Sequence, residues 1–231
     1  MNISVFVSII GILITSILPV MISAILIKKY GSSWKVFAIG ACVFFITQPL
    51  LRIPILKYLQ FKPWFYSFIV TNFILYSILL GITAGIFEEV GRYIAFKLLL
   101  KNNLKWQDGV IFGLGYGGIE AFLFLGISCI LNFYTLNPST LALGIIERIG
   151  AMIIHIGMTM LVLYSVKYNN KKYLFYAIGF HTFVDAPIGI FQKANVSLIL
   201  IESYVLIMAA IAMLILLKIK KSIDKEGILY E

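Results

Sequence analysis

The amino-acid sequence predicts an all-α membrane protein, a polytopic bundle of about seven transmembrane helices. The chain of 231 residues is 61% hydrophobic and 13% charged, whereas soluble domains are roughly 45–50% apolar and about 25% charged. Apolar runs of about 20 residues, long enough to cross the hydrocarbon core, recur along it. The lysines lie between these runs, which is typical of cytoplasmic loops. The net charge of +9 therefore reflects membrane topology, and we do not expect nucleic-acid binding.

The first two spans are predicted at residues 3–27 and 36–51. No basic segment precedes the first run, and its length of about 25 residues indicates a retained span, because the apolar region of a signal peptide is shorter. The second run is followed by a predicted loop that contains Arg52 and Lys62.

The third apolar pattern extends from residue 64 to residue 100, which is too long for one straight span. We predict a span to about Phe87, with a bend at Gly81 and Gly85 or a tilted helical continuation to Lys101. Two full spans, eight in total, are the competing interpretation. Seven spans place most lysines on one side, with the N-terminus outside and the C-terminus in the cytoplasm.

The remaining spans are predicted at residues 109–131, 141–166, 173–191 and 196–217. In the first of these, Gly109, Gly113 and Gly117 recur at every fourth position. Such a stripe of small residues lets a second helix approach closely. We expect residues 1–231 to form a single integral membrane domain.

Glu88, Glu89 and Arg92 are the ionisable residues of an otherwise apolar stretch. A charged side chain at bilayer depth costs roughly 2.5–3.5 kcal/mol on insertion scales, so it indicates a functional site. Two neighbouring carboxylates do not both ionise easily, which suits one of them to proton transfer. Arg92 lies one helical turn away and can keep the other carboxylate ionised.

Four polar residues, each on a different span, are predicted to lie at one depth. Glu88, Glu120, His155 and His181 are each separated from the nearest cytoplasmic charge by nine to twelve residues, or roughly 13–18 Å of helix. We therefore predict one site in the cytoplasmic half of the bilayer. Asp185 shares a helix face with His181 and can orient it. This chemistry suits a carboxylate base that activates water, with histidines that stabilise an oxyanion or hold a metal.

These motifs also resemble a known superfamily, the CAAX-protease and bacteriocin-processing intramembrane peptidases. They are most similar to its PrsW-like branch and there to the YhfC family of predicted glutamic-type or metal-dependent intramembrane proteases. The matching motifs, in chain order, are Glu88-Glu89-x-x-Arg92, Tyr116-x-x-x-Glu120, Glu147-Arg148 with His155, and His181-x-x-x-Asp185. The broader group has EExxxR, FxxxH and HxxxN, so prenyl-protein processing is not carried over.

The resemblance covers residues 64–191 and implies a CAAX-protease-like catalytic core there, with residues 1–63 and 196–231 as flanking spans and a basic tail. It implies an intramembrane peptidase of the bacterial plasma membrane that cleaves a membrane protein or peptide. Glu88 or Glu89 would be the general base, with Glu88 favoured.

Glu120, His155 and His181 would then position water, stabilise the oxyanion or bind one divalent metal such as zinc. The sequence contains no HExxH motif, so a mechanism without a cofactor remains the alternative.

Two other function classes fit the buried polar residues. A proton- or cation-coupled transporter or channel would use them as a relay, although no inverted repeat is evident. A non-enzymatic immunity or regulatory protein would keep only the scaffold. Glu147, Arg148 and Glu202 are predicted nearer the outer face, where Arg148 would pair with one of the two glutamates.

Overall fold

In the computed structural model, the described residues are 3–101 and 104–228, with side chains described to Lys225. All of the regular elements in these ranges are helices, which confirms the all-α prediction. They are α1 (Ile3–Tyr30), α2 (Trp34–Gln60), α3 (Pro63–Thr71), α4 (Phe73–Leu98), α5 (Trp106–Leu131), α6 (Pro138–Lys167), α7 (Lys172–Lys193) and α8 (Leu198–Ile228).

Seven of the helices in these ranges, all but α3, are long and apolar enough to cross a membrane. This confirms seven spans and a multi-pass membrane protein. Residues 102 and 103 of a predicted loop, and residues 229–231 of the predicted tail, lie outside the described ranges.

Local sequence signals explain several helix ends. Gly31 ends α1 in a left-handed conformation with φ +68°, which glycine adopts without steric cost. The Ser33 side chain accepts a hydrogen bond from the backbone of Lys35 and caps α2. Asn137 caps α6 in the same way and is followed by Pro138, which needs no backbone N–H in the first turn.

Two predicted boundaries are wrong. The helix α2 continues through Arg52 to Gln60, so Arg52 is helical and does not lie in a loop. The chain breaks at Asn72, whose φ of −127° and ψ of 49° are not helical, and α4 then runs unbroken to Leu98. The unbroken helix agrees with the predicted alternative of a helical continuation towards Lys101, and Gly85 serves the packing of α7. A Cβ atom there would lie 2.8 Å from the backbone oxygen of Ile178.

The helix α5 lies at the centre of the bundle, between α6 on one side and α2 on the other. Its glycine stripe faces α6, where a Cβ at Gly113 would lie 2.8 Å from the Cα atom of Ile156. On the other side a Cβ at Gly115 would overlap the backbone oxygen of Phe37 in α2. Backbone contact of this closeness brings polar side chains on neighbouring helices within hydrogen-bonding reach.

The helix α2 contains a π-helical segment, Ile46–Arg52, with Pro49 inside it. Proline has no backbone N–H, so the regular hydrogen-bond ladder is interrupted at this position. The ladder resumes with a wider bond from the Ile53 backbone nitrogen to the Gln48 oxygen. Segments of this kind are frequent at functional sites, and this one adjoins the polar residues of α4.

Candidate active site

The acidic pair of α4 is buried and is held by one arginine. Glu88 is 3% exposed, and Glu89 and Arg92 are fully buried. The spacing of three and four residues puts all three on one face of the helix. Arg92 donates from Nη1 to Glu89 Oε1, and its Nη2 lies 3.2 Å from Glu88 Oε2. The guanidinium therefore compensates two buried carboxylates at once.

Tyr116 of α5 covers the guanidinium from the side. The Arg92 Cζ atom lies 3.9 Å from the centroid of the tyrosine ring, a cation–π distance. The Thr47 hydroxyl donates to the backbone oxygen of Val43 at 2.8 Å, so the Tyr116 hydroxyl, 3.2 Å away, donates to Thr47. This network fixes Arg92 relative to α2 and α5.

His155 of α6 bridges two charged groups. Its Nδ1 atom lies 2.8 Å from Arg92 Nη2. A guanidinium only donates hydrogen bonds, so Nδ1 is the acceptor and the ring proton is on Nε2. That proton is donated to Glu120 Oε2 at 2.5 Å. Both ring nitrogens of His155 are thus engaged within the protein.

His181 of α7 packs against the acidic pair from the other side. Its Nδ1 atom lies 2.7 Å from Glu89 Oε1, and the carboxylate accepts this hydrogen bond. The Nε2 atom lies 3.4 Å from Asp185 Oδ2 and 3.7 Å from Glu88 Oε1. Asp185 has a side chain that is 40% exposed, so it lies at the open end of this group.

Arg148, which the sequence predicts to lie nearer the outer face, also contacts the site. Arg148 hydrogen-bonds to Glu147, as predicted, and its Nη1 atom lies 2.9 Å from Glu120 Oε1. The second contact was not predicted, and it continues the chain of alternating charges from Arg92 through His155. Glu202 is buried, and its Oε2 atom has no hydrogen-bond partner among the described residues.

A cavity of about 240 Å³ adjoins these residues. Its polar lining consists of Gln48, Arg52, Glu88, Glu120, Glu147, Arg148, His155, His181 and Asp185. Glu89 and Arg92 are not in the lining, and they lie behind Glu88 and His181. The structure thus brings all seven sequence-predicted site residues into one neighbourhood, with five of them on the cavity wall.

Two residues of this wall were missed by the sequence prediction. Gln48 donates to Glu88 Oε1, and Arg52 Nη1 lies 3.1 Å from Gln48 Oε1. Both lie outside residues 64–191, in the segment assigned to the flanking spans. The available signal was a polar Gln-Pro dipeptide inside an apolar run.

A divalent metal fits one group of three ligands. Glu88, Glu89 and His181 each offer a ligand atom, and these atoms lie within 4.8 Å of one another, all buried. The Oε2 atom of Glu89 has no hydrogen-bond partner in the described part of the chain. Carboxylate and imidazole are ordinary zinc ligands. His155 of the sequence-predicted ligand set is not in this group, and Arg92 and Glu120 engage both of its ring nitrogens.

Comparison with known proteins gives two matches. The family model described as "YhfC intramembrane metalloprotease" matches residues 14–139 and 130–206. A Bacillus subtilis (strain 168) protein named "Uncharacterized membrane protein YhfC" is 31% identical over 240 residues, which cover 90% of this chain and 93% of that protein. No solved structure matches.

Proposed function

The chain belongs to the YhfC intramembrane metalloprotease family, and we propose that it hydrolyses a peptide bond of a membrane protein or membrane-associated peptide. The observation that carries this proposal is the placement of Glu88. This carboxylate is 3% exposed, is held by Arg92 and Gln48, and lines a cavity that His181 also lines. A buried, oriented carboxylate beside a cavity is suited to act as a general base.

In the proposed reaction Glu88 takes a proton from the attacking water and later gives it to the leaving amine. Glu89 has a different task, because it does not line the cavity. Its Oε1 atom accepts from His181 Nδ1, and the Nε2 atom of the same ring is directed towards Glu88 and Asp185. Arg92 keeps both carboxylates in place.

Glu88, Glu89 and His181 are the residues that would hold a divalent metal. Such an ion supplies a more nucleophilic water and polarises the carbonyl of the scissile bond. The hydrogen bond from His181 Nδ1 to a carboxylate is the kind of contact that fixes the tautomer of a metal-binding histidine. Glu88 is the general base in the mechanism without a metal, whereas with a metal it would be one of the three ligands.

We propose a bacterial plasma membrane location, with the N-terminus outside and the C-terminus in the cytoplasm. The lysines at the end of α6, the start of α7 and the end of α8 support this orientation, since cytoplasmic loops carry an excess of basic residues. With this orientation the cavity would extend towards the outer half of the bilayer and not towards the cytoplasmic half, because its lining residues Ile53, Arg148 and Ile188 lie towards the helix ends that the orientation places outside.

The test is cleavage of a panel of synthetic transmembrane peptides by the purified protein in lipid vesicles. We expect wild type to cut at least one peptide, and Glu88→Gln to be slower by about 10²–10⁴-fold, the range for loss of a general base. His181→Ala is expected to lose activity as well. The matched control is Asp224→Asn, the same change at an exposed position of α8, which should keep full activity.

Each variant must melt within a few degrees of wild type before its activity is compared. Full activity in both Glu88→Gln and His181→Ala would contradict the proposal. A carrier that moves protons without cutting peptides would leave the whole panel intact.

A further inference from the structure

Gln48 and Arg52 of α2 lie on the cavity wall, and the mechanism above gives them no chemical step. Both belong to the π-helical segment Ile46–Arg52, and Gln48 is 8% exposed. Burying a polar amide in an apolar span is costly unless it is hydrogen-bonded. The contacts of this amide therefore indicate what it does.

The orientation of the Gln48 amide is fixed by Arg52. Arg52 Nη1 lies 3.1 Å from Gln48 Oε1, and a guanidinium can only donate. The oxygen of the amide therefore faces Arg52, and the NH₂ group faces Glu88. One of its two hydrogens goes to Glu88 Oε1. Across the described ranges Nε2 makes no second hydrogen bond, so one N–H remains for a ligand in the cavity.

Arg52 is itself anchored to α4, the helix that carries Glu88. Its Nε atom lies 3.2 Å from Thr83 Oγ1, and its Nη2 atom lies 2.7 Å from the backbone oxygen of Leu80. The guanidinium thus fixes the amide of Gln48 relative to the helix of the proposed base. A donor held in this way is already in place when charge develops in a reaction.

Neither histidine of the site has an N–H that is free for this role. His155 accepts at Nδ1 from Arg92 and donates at Nε2 to Glu120. His181 donates from Nδ1 to Glu89, and its Nε2 atom lies 3.4 Å from Asp185 Oδ2 and 3.7 Å from Glu88 Oε1, so a proton there is directed at these carboxylates. Gln48 has an N–H beside Glu88 that no described residue accepts.

We propose that Gln48 Nε2 is the oxyanion donor of the reaction and that Arg52 is its positioning residue. This inference rests on the proposed peptidase function. The water oxygen bonds to the scissile carbonyl carbon and its proton passes to Glu88. The C=O pair moves to the carbonyl oxygen, which accepts from Gln48 Nε2. When the C–N bond breaks, its electron pair stays on the amine nitrogen, which takes the proton from Glu88.

The test uses one peptide that wild type cleaves and a phosphinate analogue of the same sequence, whose tetrahedral centre mimics the oxyanion. Gln48→Ala should lower kcat by about 10²–10³-fold, the loss seen when one oxyanion donor is removed. It should weaken phosphinate binding by a similar factor and leave KM for the peptide unchanged. The matched control is Gln60→Ala, the same change at an exposed position of α2.

Gln48→Met separates the donor role from the packing of the side chain. Methionine has a similar length, has no N–H and places no charge beside Glu88, while Arg52 keeps its contacts with Thr83 and Leu80 of α4. We expect this variant to fold and to lose kcat as Gln48→Ala does. Arg52→Lys should lose less than Gln48→Met, because the amide is loosened and not removed.

Full kcat in Gln48→Met would overturn the inference, as would equal weakening of peptide and phosphinate binding in Gln48→Ala. If wild type cleaves the peptide and the Gln48 variants match it, this inference alone fails. If wild type cleaves no peptide of the panel, the proposed function fails first.

Discussion

Replacing Arg92 by methionine is expected to destabilise the protein strongly, although the change is apolar and of similar length. Arg92 is fully buried and contacts Glu88, Glu89, His155 and Tyr116. Its loss leaves two buried carboxylates without a cation. Breaking a buried ion pair by removing one partner costs about 3–5 kcal/mol, so we expect the free energy of unfolding to fall by about that amount.

The reasoning is checked by a second replacement at the acidic partner. In Glu89→Gln/Arg92→Met the uncompensated charge at position 89 is gone as well, so the double variant should be more stable than Arg92→Met alone. The control is Lys97→Met, an exposed position on the same helix, where the expected change is within about 0.5 kcal/mol.

Unfolding in mixed micelles with increasing SDS, followed by tryptophan fluorescence, measures the free energies of unfolding of wild type, Arg92→Met, Glu89→Gln, the double variant and Lys97→Met. Arg92→Met with the stability of Lys97→Met would refute the ion-pair account. Strictly additive effects of the two replacements would also refute it, because residues in one network are coupled.

Two further predictions concern helix packing and metal binding. Gly85→Ala places a methyl group 2.8 Å from a backbone oxygen of α7 and 3.4 Å from the Cβ atom of His181. Because α7 must shift to make room, His181 is displaced, and we expect kcat/KM to fall by about 10²-fold, the loss that a 1 Å misplacement of a catalytic group produces. Gly179→Ala, with nothing within 4 Å, should keep full activity, and equal activities would contradict the packing argument. By inductively coupled plasma mass spectrometry, His181→Ala should lose bound divalent metal while His155→Ala keeps it. Loss in both would favour the ligand set that the sequence predicts.

The membrane fold and the neighbourhood of the site follow from simple sequence arguments. Apolar run length predicts the spans, and equal depth below the lysines predicts that polar residues on separate helices meet. Depth does not give the rotation of a helix about its axis, however. In the structure both ring nitrogens of His155 are hydrogen-bonded, one to Arg92 and the other to Glu120. The third potential metal ligand beside Glu88 and His181 is Glu89.

Gln48 and Arg52 could not be placed from the sequence for a related reason. Arg52 follows an apolar run of about the length of a span, and a basic residue at that position is typical of the start of a loop. Instead, residues Ile46–Arg52 form a π-helical segment that contains Pro49, and the helix continues to Gln60. The wider turn changes which side chains face α4, and periodicity at 3.6 residues per turn does not predict it.

The most direct test of the central claim is mass spectrometry of the peptide panel after incubation with purified protein in H₂¹⁸O. If Glu88 activates water for peptide hydrolysis, wild type will produce two fragments and the new carboxyl terminus will carry one ¹⁸O atom. The folded Glu88→Gln protein will leave the same peptide intact. Intact peptides with wild type, or equal ¹⁸O incorporation by Glu88→Gln, would contradict the account.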